Sequence, residues 1–239
     1  MHVHLPKPLH GWRAFVGEVG IIVVGVLIAL GAEQLVQSLS HRSEAQEARD
    51  NIRAEIALNI GRMQNADGRV PCKTLRLNEI GDFIKKARSG RSLADVTWIG
   101  RPPVWDMETS RWQSAAASGR SSLFRPNEQA AIADLYSLMT DYQAEERVEQ
   151  EAWAKLRGLE GLTALSESRD ASLSDALQQA RYSQWLLNID SEQAQEVARR
   201  LSIRGKPIAP YLSPLCIPTN VTRKEALKRL GADENGEPL

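Results

Sequence analysis

Val19 to Ala32 form a run of 14 residues without a charge or a strongly polar group, in a chain of 239 where 25% of residues are charged. An element that is apolar on every side must be buried all round, in a large core or in a bilayer. As a helix the run is about 21 Å long, short of the roughly 30 Å hydrocarbon core of a membrane. Carried back to Ala14 it reaches 19 residues and about 28 Å, taking in Glu18. Trp12 and Arg13 then stand where an aromatic anchor and an interfacial cation belong, and the Glu18 carboxylate is within reach of the headgroups. This pattern predicts a single-pass transmembrane helix over residues 12–34. A cleaved signal peptide is the alternative, with Lys7 and Arg13 ahead of the run and Ala29 and Gly31 around a cleavage point. Against it stand the acid inside the run and the helix-friendly continuation from Ala32 to Val36.

Orientation follows from positive charge near the helix ends. The amino terminus, Lys7 and Arg13 lie on one side, Arg42 and Arg49 on the other. This bias places the tail 1–11 in the cytoplasm and everything after about residue 35 outside. Glu18, Gly25, Ala29 and Ala32 share one helix face, at steps of seven, four and three. Small residues four apart let two helix backbones approach in lipid. The seam is a candidate for self-association or for docking to a membrane-protein partner; the plainer reading is that Gly and Ala are simply common in membrane helices.

The remaining chain reads as all-α. No proline occurs between Pro8 and Pro71, and Ala45, Ala48, Ile52, Ile56, Ile60 and Met63 recur at helical spacing among charged residues. One helix from about Trp12 to Gln64 is expected, leaving the bilayer as an amphipathic stalk over 35–66 and fraying at Gly61 and Asp67-Gly68. A helical bundle is expected over 67–206. Its helices start near Pro71, at Val104 (to Ser118), at Pro126, and at a capping-box-like Ser172-Leu-Ser-Asp175. The last of these carries Leu177, Trp185, Leu186, Val197 and Leu201 as its apolar stripe. Ser-Gly-Arg-Ser occurs at Ser89 and again at Ser118, both times where a helix should end, which reads as shared capping chemistry. Over 207–239, Pro207, Pro210, Pro214 and Pro218 forbid regular helix and favour an extended strap, followed by a short helix from Arg223 to Leu230.

Chemistry is sparse. His2, His4 and His10 fall in the N-terminal tail and His41 stands alone beyond the membrane run, so no zinc set and no Ser-His or Cys-His nucleophile can be assembled. No G-x-x-x-x-G-K-[ST] or G-x-G-x-x-G string offers a phosphate cradle. With 30 basic and 30 acidic residues, the chain lacks the basic excess of an open nucleic-acid binder. Carboxylates capable of acid–base work are present at Asp106 and Glu108, and at Glu145, Glu146, Glu149 and Glu151; they would have to converge in a cleft. No catalytic residue, cofactor or metal ligand is assigned. Cys72 and Cys216 are the only cysteines. An even pair on the exported side points to one disulfide tying the strap to the second helix, and two buried thiols are the alternative. Trp105 and Trp112, seven residues apart, would share a helical face, as a groove or as core anchors.

Two stretches carry a resemblance. Gly17-Glu18 through Ile28-Ala29-Leu30 to Glu33-Gln34, and Trp105 to Tyr136 with its Ala117-Ser118-Gly119 and Leu135-Tyr136, resemble an uncharacterised family of bacterial proteins. Those begin with a single membrane helix of the form G-E-(apolar)-G-V-L-I-A-L. The resemblance covers about a fifth of the chain. It implies a bacterial inner-membrane protein with an exported helical domain and carries no activity. The expected role is a membrane-tethered interaction or scaffolding module. A periplasmic sensory or ligand-binding bundle, signalling through a membrane partner, is the second expectation, and a carboxylate-based hydrolase the third.

Overall fold

Helix α1 runs from Gly11 to Asp67 without interruption, as a proline-free stretch with a continuous apolar pattern requires. A computed structural model describes residues 11–209 and 212–232, except for the side chains of residues 11, 13 and 14. The tail with Lys7, His2, His4 and His10, the Arg13 side chain, Pro210 and the charged end after residue 232 lie outside the described residues. Five helices follow, α2 (Val70–Arg88), α3 (Ser110–Ala117), α4 (Pro126–Leu156), α5 (Glu167–Arg200) and α6 (Arg223–Arg229), with no strand among the described residues. The fold is all-α, as the sequence predicts.

The two halves of α1 do different things. Every side chain from Phe15 to Ser43 is exposed, whereas Ile52, Ile56, Ile60 and Met63 are fully buried. The expected stalk over 35–66 is therefore short: only about its first ten residues stand clear, and from Ala45 onward α1 is a core element of the bundle. A stripe spaced four, four and three presents one apolar face, and the fold covers that face instead of leaving it to water.

Cross-links trace the bundle. Along α1 and then α2, Arg49 meets Glu128, Glu55 meets Tyr136 and Lys73 meets Glu149, ascending α4. Arg53 meets the Leu201 carbonyl, Asp67 meets Ser191 and Arg88 meets Asp170, descending α5. The second half of α1 and α2 thus form one broken rod, parallel to α4 and antiparallel to α5. Gly68 makes the break, and Pro71 in the first turn of α2 costs no hydrogen bond. A lower core gathers Ile56, Ile60, Leu135, Met139 and Ala194. An upper one surrounds Trp153 with Ile80, Leu156, Leu173 and Ala180.

Four local expectations are corrected. Residues 104–109 are irregular, and α3 begins only at Ser110. Asn59 takes both the N–H and the carbonyl of Glu108, at 2.9 and 2.7 Å, so tertiary partners replace helix bonds there. Helix α5 starts five residues before Ser172, at Glu167, because Ser166 caps it by accepting the Arg169 N–H. Trp185 points outward, 54% exposed beside Tyr182. Gly61 is no fraying end. The chain just ahead of the strap crosses α1 at this point, with the Lys206 N–H on the Ala57 carbonyl at 2.7 Å, and a Cβ on Gly61 would collide with the Lys206 carbonyl. The Ser-Gly-Arg-Ser strings do end helices: Gly90 and Gly119 take φ of 76° and 73°, a region that favours glycine.

Candidate functional site

The apolar half of α1 is long and hydrophobic enough to cross a membrane, with a mean hydropathy of 2.4 over its best 18 residues and none of them buried in the protein. Glu18, Gly25, Ala29 and Ala32 lie within it, all exposed. Nothing approaches within 4 Å of the position a Gly25 Cβ would occupy, so the small-residue seam is open along its length.

At the middle of the bundle the strap is fastened to α2 twice. Cys72 and Cys216 form a disulfide with Cα atoms 5.1 Å apart. One turn on, Arg76 is 2% exposed, and its guanidinium donates to the carbonyls of Trp98, Ile99, Leu215 and Ile217, while its Nε pairs with Glu79 at 2.8 Å. Burial lowers the Arg76 pKa and Glu79 raises it again; a guanidinium stays charged all the same. This arginine holds two irregular segments whose carbonyls have no helix to satisfy them. The sequence offers no signal for it, since Arg76 sits in an ordinary helical context.

The tryptophan groove does not form as expected. Because 104–109 is not helical and α3 begins at Ser110, Trp105 and Trp112 share no helical face. Trp112 stacks on Tyr136 at 5.7 Å and 9°, and Trp105 lies under the Arg62 guanidinium at 6.0 Å.

The carboxylates separate into structural roles. Asp106 accepts from Gln143 and Glu108 pairs with Arg62 at 3.0 Å. Glu55, 4% exposed, receives the Arg111 N–H at 2.9 Å, the Ser110 hydroxyl at 3.2 Å and the Tyr136 hydroxyl at 2.5 Å. It is the cap of α3, delivered from another helix, and its charge helps push the Tyr136 pKa far up, second to burial. Glu145 is half-buried and Glu151 exposed, whereas Glu146 and Glu149 are buried. Lys73 Nζ reaches both Glu149 oxygens, at 2.8 and 3.0 Å. Burial, and then Glu149, push the Glu146 carboxyl up to about 8; one of its oxygens has no hydrogen-bond partner. The void they share measures about 20 Å³, room for one water and too small for a substrate.

A larger opening lies where residues 98–103, the strap and α6 meet. It encloses about 560 Å³, floored by Trp98, Leu227 and Leu230, with Arg101, Arg157 and Arg223 around it. No family model matches the chain, and neither a curated protein nor a solved structure matches it.

Proposed function

We propose that this chain is a membrane-tethered helical interaction module, anchored by α1 in the bacterial inner membrane with residues after about 35 in the periplasm. One observation carries the reading: α1 is a single helix whose first half is wholly exposed and apolar and whose second half is a core element of the bundle. A helix that belongs to both compartments transmits its orientation, so the bundle is presented at a set height and rotation and not on a loose linker. At 1.5 Å per residue, the free stretch 35–44 lifts the bundle about 15 Å from the hydrocarbon boundary. Charge near the helix ends supports the orientation, and the resemblance of residues 17–34 to bacterial membrane anchors supports the compartment.

Within the membrane, the seam of Glu18, Gly25, Ala29 and Ala32 is the docking face for a second copy or for a membrane-protein partner. The test is chemical cross-linking of the full chain in native membranes, compared with Gly25→Leu/Ala29→Leu. Cross-linked species that disappear in the double variant are expected, because leucines hold backbones apart. Identical cross-linking in both would refute the seam as the contact.

A further inference from the structure

We propose that the cleft between Trp98, the strap and α6 binds small amphipathic carboxylates, with the apolar body on its floor and the carboxylate among its arginines. This inference stands on the bundle alone and does not depend on the membrane reading.

The floor is preformed. Trp98 is 7% exposed, and its Nε1 donates to the Pro214 carbonyl at 2.9 Å. The N–H groups of Thr97 and Trp98 both donate to the Thr219 carbonyl, at 2.8 and 3.0 Å. Gly100 packs so closely that a Cβ would meet the Pro214 carbonyl at 2.9 Å. Beneath lie the Arg76 clamp and the Cys72–Cys216 bond. Binding therefore orders little that is not already ordered, which is what makes a cleft effective as a site.

Size and charge select the ligand. A volume of about 560 Å³ falls within the range of small-molecule sites. Among the described residues the lining supplies three arginines and no carboxylate, in a chain whose charges balance at 30 and 30. Arg157 is partly engaged by Glu160 at 3.3 Å, while Arg101 and Arg223 have no carboxylate partner among the described residues. Guanidinium forks match a planar carboxylate through paired N–H donors. Indole and leucine side chains match an aromatic or branched hydrocarbon. An ion without an apolar part would leave the floor wet, and an uncharged apolar molecule would leave the arginines unanswered.

The test is titration calorimetry of the full chain in nanodiscs with 3-phenylpropionate, corrected by titration into empty nanodiscs. Saturable binding is expected, weakened about tenfold or more in Arg101→Gln/Arg223→Gln and for the uncharged analogue 3-phenylpropanol. A control variant, Arg199→Gln/Arg200→Gln at the end of α5, should bind as the wild type does. The proposal is overturned by the absence of heat beyond the empty-disc titration, by equal affinity for the alcohol, or by retained binding in Arg101→Gln/Arg223→Gln. Equal loss in the control variant also overturns it, because that would mark a response to net charge alone.

Discussion

Replacing Glu146 by glutamine should stabilise the protein, and by an amount that depends on pH. Glu146 is 4% exposed; one carboxylate oxygen takes the Trp105 backbone N–H and the other has no partner. Burial, reinforced by Glu149 and only partly offset by Lys73, pushes its carboxyl from 4.5 up to about 8. The folded chain therefore holds a proton that the unfolded chain releases between those values. A pKa raised on folding contributes stability that is complete below pH 4.5 and lost as pH rises through 8. Each pH unit in that window removes about 1.4 kcal/mol, so the loss from this one group is about 3 kcal/mol by pH 7 and roughly 5 kcal/mol above pH 8. Glutamine keeps the shape and cannot ionise. Glu146→Gln should match the wild type at pH 4.5 and exceed it by about 3 kcal/mol at pH 7. Urea unfolding of the full chain in detergent, followed by tryptophan fluorescence at several pH values, measures the gap. A shallower slope of the same sign should persist in the variant, because burial also raises Asp67 and Glu149. A gap that is constant from pH 5 to 8, or that widens toward acid, refutes the assignment of the buried proton to Glu146.

Breaking the Cys72–Cys216 bond, whose ends are 144 residues apart, should cost about 5 kcal/mol in the chain-entropy account. Denaturant midpoints of Cys72→Ser/Cys216→Ser against wild type give the value, and non-reducing gels of the protein from native membranes give the pairing. Gly61→Ala and Gly81→Ala should differ in sign although both glycines sit inside helices. The first sets a Cβ against the Lys206 backbone carbonyl, while the second meets only ordinary contacts with Arg181 and Leu177 at 3.5 and 3.6 Å. Thermal melts should show a loss of about 1–3 kcal/mol for Gly61→Ala and a gain of up to about 1 kcal/mol for Gly81→Ala.

Elements whose causes lie within a turn or two of chain were legible in the residues themselves. The uninterrupted α1 follows from the absence of proline and a continuous apolar pattern. The starts of α2 and α4 follow from Pro71 and Pro126, and the helix ends at Ser89 and Ser118 follow from the glycines after them. Trp185, by contrast, stands on the apolar stripe by spacing and yet is exposed, because helical spacing reports that a face is apolar and not that something covers it.

By itself, then, the sequence determined the membrane-competent half of α1, the all-α class and most helix boundaries, because hydropathy, caps and proline act locally. Only the tertiary structure decided that the stalk sinks into the bundle after Ala45, that Asn59 and Glu55 shape residues 104–112 from another helix, and that Arg76 gathers four carbonyls up to 141 residues away in the chain. Those partners are brought together by packing of α1 and α2 on α4 and α5. A buried polar group must find its partner wherever the fold places one, and no local pattern encodes where that is.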